Sequence, residues 1–335
     1  MKKLFIVAMA LGMLASCAQD EVLDLNQEAI GFSGAHINNS TRSIDLPASH
    51  TTANLQTFNV YGAVEGVTTA WVNIFNGVEV TKNKKADSDI GVQNTTWWYS
   101  ASNLQYWIAG KDYKFAAVVD GTVSATDAAG MPTEITVDAS EQKDVLYATN
   151  NVTDWTSTDG SNVAFDFAHI MSKVKFTAEV DAMASAYAYT VEGITINGVP
   201  QEATYTIGGT WAATSTYDVA FGHIAGPDAT ADNLSLLLNG TSAESYYERL
   251  MVPGEVNSIS FTVNLWKKKD SGTDYDHIST ETKTLTVGDG LTSAINLAGG
   301  SAYNFVIELG APGTPITFSA NPIPDWTPAG DVDVK

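Results

Sequence analysis

The sequence predicts an all-β protein built of sandwiches. Three observations carry that expectation. After residue 17 no segment keeps the i, i+3, i+4 apolar spacing of an amphipathic helix for more than about three turns. Short stretches instead alternate apolar and polar residues or form brief β-branched and aromatic runs; residues 58–63, 113–119, 134–137, 162–180, 193–196, 259–266, 282–287 and 303–309 are examples. Gly, Asn, Asp and Pro separate these runs at intervals of about 8–20 residues, the punctuation of strands joined by turns. With 335 residues, 44% apolar, and 8 Trp, 13 Tyr and 12 Phe, the chain can bury a sizeable core. Its 17 basic against 38 acidic residues give a net charge of −21. That balance lacks the Lys/Arg face a nucleic acid needs and disfavours docking on anionic lipid.

The N-terminus reads as an export signal. Met1-Lys2-Lys3 is a basic start, and residues 4–14 are an eleven-residue apolar run. As a helix that run spans roughly 16 Å, too short to cross a bilayer. Leu14-Ala15-Ser16-Cys17 resembles a bacterial lipobox, in which a peptidase cuts before the cysteine and lipid is added to it. Cys17 is the only cysteine, which excludes a disulfide framework and a cysteine-based zinc site. Acyl chains contribute about 0.8 kcal/mol per buried CH₂, so two or more hold a protein on a membrane. Asp20 and Glu21 resemble the acidic export tags of Bacteroidetes surface lipoproteins.

Further along, a short helix is expected near residues 102–110 or in the Ala-rich 181–189. The polar stretch 150–161 is the best boundary between two units, because its Asn, Asp, Ser, Thr and Gly prefer turns and strand signal resumes after it. The expected organisation is 1–16 signal peptide, 17–42 pro-segment, 43–160 first domain and 161–335 second domain. Within residues 162–180 the apolar residues change parity. Val163, Phe165, Phe167 and His169 share one face; Ile170, Val174 and Phe176 share the other. A bulge or kink is expected near His169, with the histidine hydrogen-bonded in a structural role.

Catalytic motifs are absent from the sequence: there is no HExxH, GxSxG, phosphate loop or GxGxxG. The protein is expected to be no enzyme and to hold no cofactor or metal. Asp87-Ser88-Asp89 and residues 154–160 lack the ligand spacing of a calcium loop and read as polar turns. Trp97 and Trp98 are candidates for stacking on a glycan, although adjacent strand residues point to opposite faces, so one of them packs in the core. Arginine is rarer than lysine, with only Arg42 and Arg249. Arg249 falls in an expected strand over 246–252. Arg42 lies in an Asn/Ser/Thr-rich loop behind the apolar alternation Ile30, Phe32, where an Arg-specific protease would find an accessible bond; a plain surface arginine reads the same way.

Taken in order, several motifs resemble the fimbrillin family of Bacteroidales pilins, the Mfa-like branch of type V pili. They are the lipobox at Cys17; Ile30-Gly31-Phe32 followed by Thr41-Arg42; Phe58-Asn59-Val60-Tyr61-Gly62-Ala63; Asp144-Val145-Leu146-Tyr147-Ala148; and residues 165–176 from Phe165 to Phe176. Met251-Val252-Pro253, Ser301-Ala302-Tyr303-Asn304-Phe305, Ile316-Thr317-Phe318 and Asp325-Trp326 close the series. The resemblance implies two tandem transthyretin-like β-sandwich domains and a fimbrial subunit serving adhesion. It implies a lipidated outer-membrane precursor cut by a trypsin-like protease between Arg42 and Ser43, followed by assembly into a surface fimbrium. The strand carrying Ile30 and Phe32 would be removed, and a strand from another subunit would fill the groove. The candidate donor is the tail, with Ile316, Phe318, Trp326, Val332 and Val334 as plugs. Pro322, Pro324 and Pro328 each take a donor out of a ladder, which leaves stalk, tip and accessory roles open. The implied partners are other fimbrial subunits, the processing protease, the lipid anchor and a host or bacterial surface ligand. The alternative is a surface glycan-binding lipoprotein of a sugar-uptake system; a β-sandwich glycoside hydrolase would need two carboxylates about 5–10 Å apart in a cleft.

Overall fold

The computed structural model describes residues 28–37, 50, 53–67, 70–91, 96–181, 186–225, 236–238, 240–245 and 247–323. Cys17, Arg42, Ser43, Trp326, Val332 and Val334 lie outside them. In chain order the strands begin with β1 (Gly31–Ile37), β2 (Thr57–Glu65), β3 (Trp71–Thr81), β4 (Asp89–Ile90), β5 (Tyr99–Ser100), β6 (Tyr113–Val119), β7 (Thr122–Thr126) and β8 (Pro132–Asp138). Next come β9 (Leu146–Val152), β10 (Asn162–His169), β11 (Ser172–Val180), β12 (Tyr187–Pro200), β13 (Glu202–Thr206), β14 (Thr210–Ala213), β15 (Thr216–Gly222) and β16 (Ile224–Ala225). The last are β17 (Ser242–Ser245), β18 (Arg249–Met251), β19 (Gly254–Val256), β20 (Ser258–Lys268), β21 (Tyr275–Val287), β22 (Gly290–Leu291), β23 (Ile295–Leu297), β24 (Ala302–Leu309) and β25 (Thr317–Ile323). The fold is all-β. Among the described residues the helical pieces are two single 3₁₀ turns, Ala101–Asn103 and Ala139–Glu141. The helix expected over 102–110 shrinks to the first of these turns, and from Tyr187 the Ala-rich stretch enters β12, where burial of the consecutive residues Ala188 to Val191 outweighs local helix propensity.

Three apolar clusters organise the sheets. A six-stranded sheet in the order β1-β10-β9-β6-β2-β3 carries the first cluster, with Phe32, Phe58, Phe75, Phe115, Phe165 and Phe167 on one face. The second cluster lies between two sheets, β16-β17-β11-β24-β25 and β15-β12-β20-β21-β22, and is filled by Phe176, Phe221, Phe261 and Phe305 among others. This pair of facing sheets is a β-sandwich. A third cluster, around Val118, Ile135, Met171 and Leu250, packs where the four-stranded sheet β14-β13-β8-β7 meets the other layers.

The parity change near His169 marks a change of sheet. Val163, Phe165 and Phe167 on β10 point into the first cluster; Ile170 and Met171 join the third; Val174 and Phe176 on β11 point into the second. A two-residue break turns the chain, so one alternating run serves two cores. Of the polar stretch 150–161, residues 150–152 end β9 and 153–161 connect it to β10 within the first sheet. Backbone pairing crosses residues 160/161 three times among the described residues, through β1 with β10, through β9 with β10, and through β8 with β13, where Glu134 to Asp138 lie against Thr206 to Glu202.

Candidate functional site: an apolar edge strand and its groove

Among the described residues β1 lies at the edge of the first sheet and pairs with β10 alone, in parallel, from Gly31 opposite Asn162 to Ile37 opposite Phe167. The register slips once, between Ser33 and Ala35, so Gly34 is an extra residue. A bulge there shifts the alternation by one. The consequence is that Ile30, Phe32, Ala35 and Ile37 are all buried, at 0%, 1%, 6% and 5% exposure, although strict period two would turn the second pair outward. Phe32 is the central plug. Its ring centroid lies 5.5 Å from those of Phe75 and Tyr99 and 6.2 Å from those of Phe58 and Phe165. Burying such a side chain is worth about 1.5–3 kcal/mol.

The entry to β1 is clamped from its other side. The Ile30 N–H donates to the Gln105 carbonyl and the Trp107 N–H to the Glu28 carbonyl, both at 2.9 Å, while on the β10 side the Gly31 N–H donates to the Ser161 carbonyl at 2.7 Å. The Tyr99 hydroxyl donates to the Ile30 carbonyl at 2.6 Å. Trp107 stacks on Trp155 at 5.1 Å and donates its indole N–H to Ser161, closing that end of the groove. Burial holds the Tyr99 phenol above its ordinary range, so it remains a donor at neutral pH.

Tyr147 and Tyr217 are likewise pushed up to about 12, chiefly by burial. In the unfolded chain these phenols release protons near pH 10 while the folded protein holds them. Their stabilising contribution is complete below about pH 10 and is lost as pH rises through the folded values. Chemical denaturation at pH 8, 9.5, 10.5 and 11.5 is expected to show a flat midpoint followed by a decline above pH 10; a midpoint unchanged to pH 11.5 contradicts this.

The tail strand β25 is also an edge strand, paired antiparallel with β24 from Thr317 opposite Glu308 to Ile323 opposite Ala302. Ile316 and Phe318 are half-buried, with the Phe318 ring 5.6 Å from Phe305 and 6.5 Å from Phe176. The two edge strands share a pattern. Ile30-Gly31-Phe32-Ser33 ending at Ile37 and Ile316-Thr317-Phe318-Ser319 ending at Ile323 carry Ile, Phe, Ser and Ile at identical spacing.

Other sequence candidates resolve differently. Trp97 is 6% exposed, with its ring 5.0 Å from that of Phe58, so it is a core residue and offers no face to a sugar. Trp98 is half-buried, with Lys84 Nζ 5.9 Å from its ring. Asp89 accepts the Lys85 and Ala86 N–H groups at 2.8 and 2.7 Å, and Asp159 accepts the N–H of Thr156 at 2.7 Å, the geometry of carboxylate-closed turns. His169 Nδ1 lies 2.8 Å from Asp144 Oδ1, both side chains buried, while Asp144 Oδ2 accepts the His50 N–H at 3.0 Å. His50 Nε2 is 2.6 Å from Asp120 Oδ2, so two histidines and two aspartates tie residue 50 to the end of β10. Among the described residues no group of three His, Cys, Asp or Glu is placed to hold a metal ion, and no helix is long and apolar enough to cross a membrane.

These features define an all-β protein of packed sheets with a similar apolar edge strand near each end. The model of the fimbrillin-like family matches residues 41–326, and the chain belongs to that family. Among solved structures it is similar to a fimbrial protein of Bacteroides vulgatus, with 15% identity, a TM-score of 0.52, and 90% of this chain and 100% of that one covered. It is also similar to a candidate cell adhesion protein of Bacteroides ovatus, with 15% identity, a TM-score of 0.50, and coverage of 90% and 98%. At that identity the likeness is one of fold. No curated protein matches the chain.

Proposed function

We propose that the protein is a fimbrial subunit without catalytic activity, made as an outer-membrane lipoprotein precursor through Cys17 and assembled at the cell surface by strand exchange. The observation that carries this is β1, an edge strand with one partner and four apolar plugs, lying a few residues before Arg42. Cutting between Arg42 and Ser43 would release residues 17–42 and with them the strand. The β10 edge would lose its partner groups, and the Phe32 site among Phe58, Phe75, Tyr99 and Phe165 would open. An extended segment with matching plugs restores both the backbone hydrogen bonds and the apolar contacts. Residues 316–323 of a neighbouring subunit supply the Ile, Phe, Ser and Ile of β1 in the same order.

In the precursor Ser33 lies opposite Ala164, so a donated Ser319 would take that place. Subunits carrying Ser319→Cys and Ala164→Cys are expected to form disulfide-linked ladders between copies on mild oxidation, while within one chain residue 319 faces Val306. Assembly that proceeds normally with no such ladder contradicts donation by this strand. The burial of Trp97 removes one of the two residues on which a glycan-binding reading rested.

A further inference from the structure

We infer that β21 is a second association surface, at which two copies of this chain pair edge to edge in antiparallel fashion, centred on Thr282. This surface is in a different sheet from the β1 groove and does not depend on strand exchange.

β21 is held by β20 along one side, from Tyr275 opposite Lys268 to Thr286 opposite Ser258. Two features bound its other side. Leu265 faces Ser279 but Trp266 faces His277, so Ile278 is an extra, bulged residue. At the far end β22 pairs with Thr286 and Val287. Between these limits residues 279–285 pair with no other strand among the described residues. These seven residues, Ser279-Thr280-Glu281-Thr282-Lys283-Thr284-Leu285, contain no Gly or Pro. Such an edge presents unpaired N–H and C=O groups as a template for another strand. Other edges carry interruptions: β3 has two register shifts and Gly77 at φ +67°, β7 has two register shifts, β14 has four residues, and β25 contains Pro322.

The residues of the free edge choose the partner. Antiparallel pairing of the stretch with itself places its midpoint, Thr282, opposite Thr282 of the second copy. Thr280 then faces Thr284, Ser279 faces Leu285, and Glu281 faces Lys283, each pair occurring twice by symmetry. Opposite charges and threonine pairs across strands are favourable by about 0.2–1 kcal/mol each. Sliding the register by two residues either way puts Glu281 opposite Glu281 or Lys283 opposite Lys283, so like charges reject the neighbouring registers. Within one chain Glu281 and Lys283 already lie on one face, 2.6 Å apart, Glu281 exposed and Lys283 half-buried, placed to form a four-charge cluster across the interface. A net charge of −21 opposes indiscriminate contact between copies, so attraction has to be local and matched.

The test uses the full chain carrying Cys17→Ser, which leaves no other thiol. With Thr282→Cys added, mild oxidation is expected to give a disulfide-linked dimer, because opposed Cα atoms about 4.5–5.5 Å apart fall within the range a disulfide spans. Thr284→Cys, whose symmetry mate is four residues out of register, is expected to give none. Sedimentation at about 0.15 M salt is expected to show a dimer that Glu281→Lys and Lys283→Glu each weaken by about tenfold or more. An equimolar mixture of these two variants is expected to recover dimer, since each supplies the charges the other lacks, although neither has its internal ion pair. Equal cross-linking at 282 and 284, a monomer at every concentration, or a mixture no better than either variant alone overturns the proposal.

Discussion

Arg42→Ala is expected to leave a folded precursor that is never shortened and never enters polymers. Among the described residues the plugs of β1 end at Ile37, five positions before Arg42, and the next described residue, His50, is fixed by Asp120 and Asp144. The substitution is expected to change stability by less than about 0.5 kcal/mol, the range of changes outside a packed core. Its effect on assembly should nonetheless be complete, because β1 continues to occupy the β10 edge and an occupied edge accepts no second strand. Subunit mass by denaturing gel and polymer ladders from the cell surface read both consequences. Normal shortening and assembly of the variant would show that another bond is cut, or that none is needed.

The second large effect is a reciprocal pair. Phe32→Ala removes a ring packed against four others and is expected to destabilise the precursor by about 3–5 kcal/mol. In assembled subunits the same substitution should be silent, since that strand would have been discarded. Phe318→Ala is expected to behave the opposite way. In the chain alone Phe318 is half-buried, so the precursor loses less than with Phe32→Ala; placed in a neighbour's groove it would fill the site of Phe32, and polymer yield should fall sharply. The difference in burial also gives the exchange a direction. Moving Ile316 and Phe318 from half-buried positions on β24 to sites like those of Ile30 and Phe32 gains on the order of 1 kcal/mol per side chain. Denaturant unfolding of the precursor and polymer yield separate these effects; a Phe318→Ala variant that assembles fully contradicts the donor assignment.

Much of this was legible in the sequence where a residue's fate depends on its immediate neighbours. Strict alternation along residues 163–169 marked β10, and the parity change after His169 marked a discontinuity. That it is a passage between cores was not readable, because period two reports which residues share a face and not which core the face meets. Ile30 and Phe32 stood out as an alternating pair. Ala35 and Ile37 did not, since the extra residue at Gly34 reverses the phase, and a bulge is set by pairing with β10 rather than by local preference. Strand alternation required one of the two adjacent tryptophans to pack in the core, but only the Phe58 ring shows that it is Trp97. The pairing of β8 with β13 joins residues about 70 apart and leaves no local trace in the sequence. The correspondence between residues 30–37 and 316–323 was present in the sequence throughout, but only the equivalent edge positions of β1 and β25 give it meaning.

The N-terminal residue of subunits taken from surface polymers tests the central claim most directly. Ser43 as the first residue, with residues 17–42 missing, is the predicted result. Polymers whose subunits begin at an acylated Cys17 and still carry Ile30 and Phe32 would contradict it, because β1 would then be a permanent part of the fold.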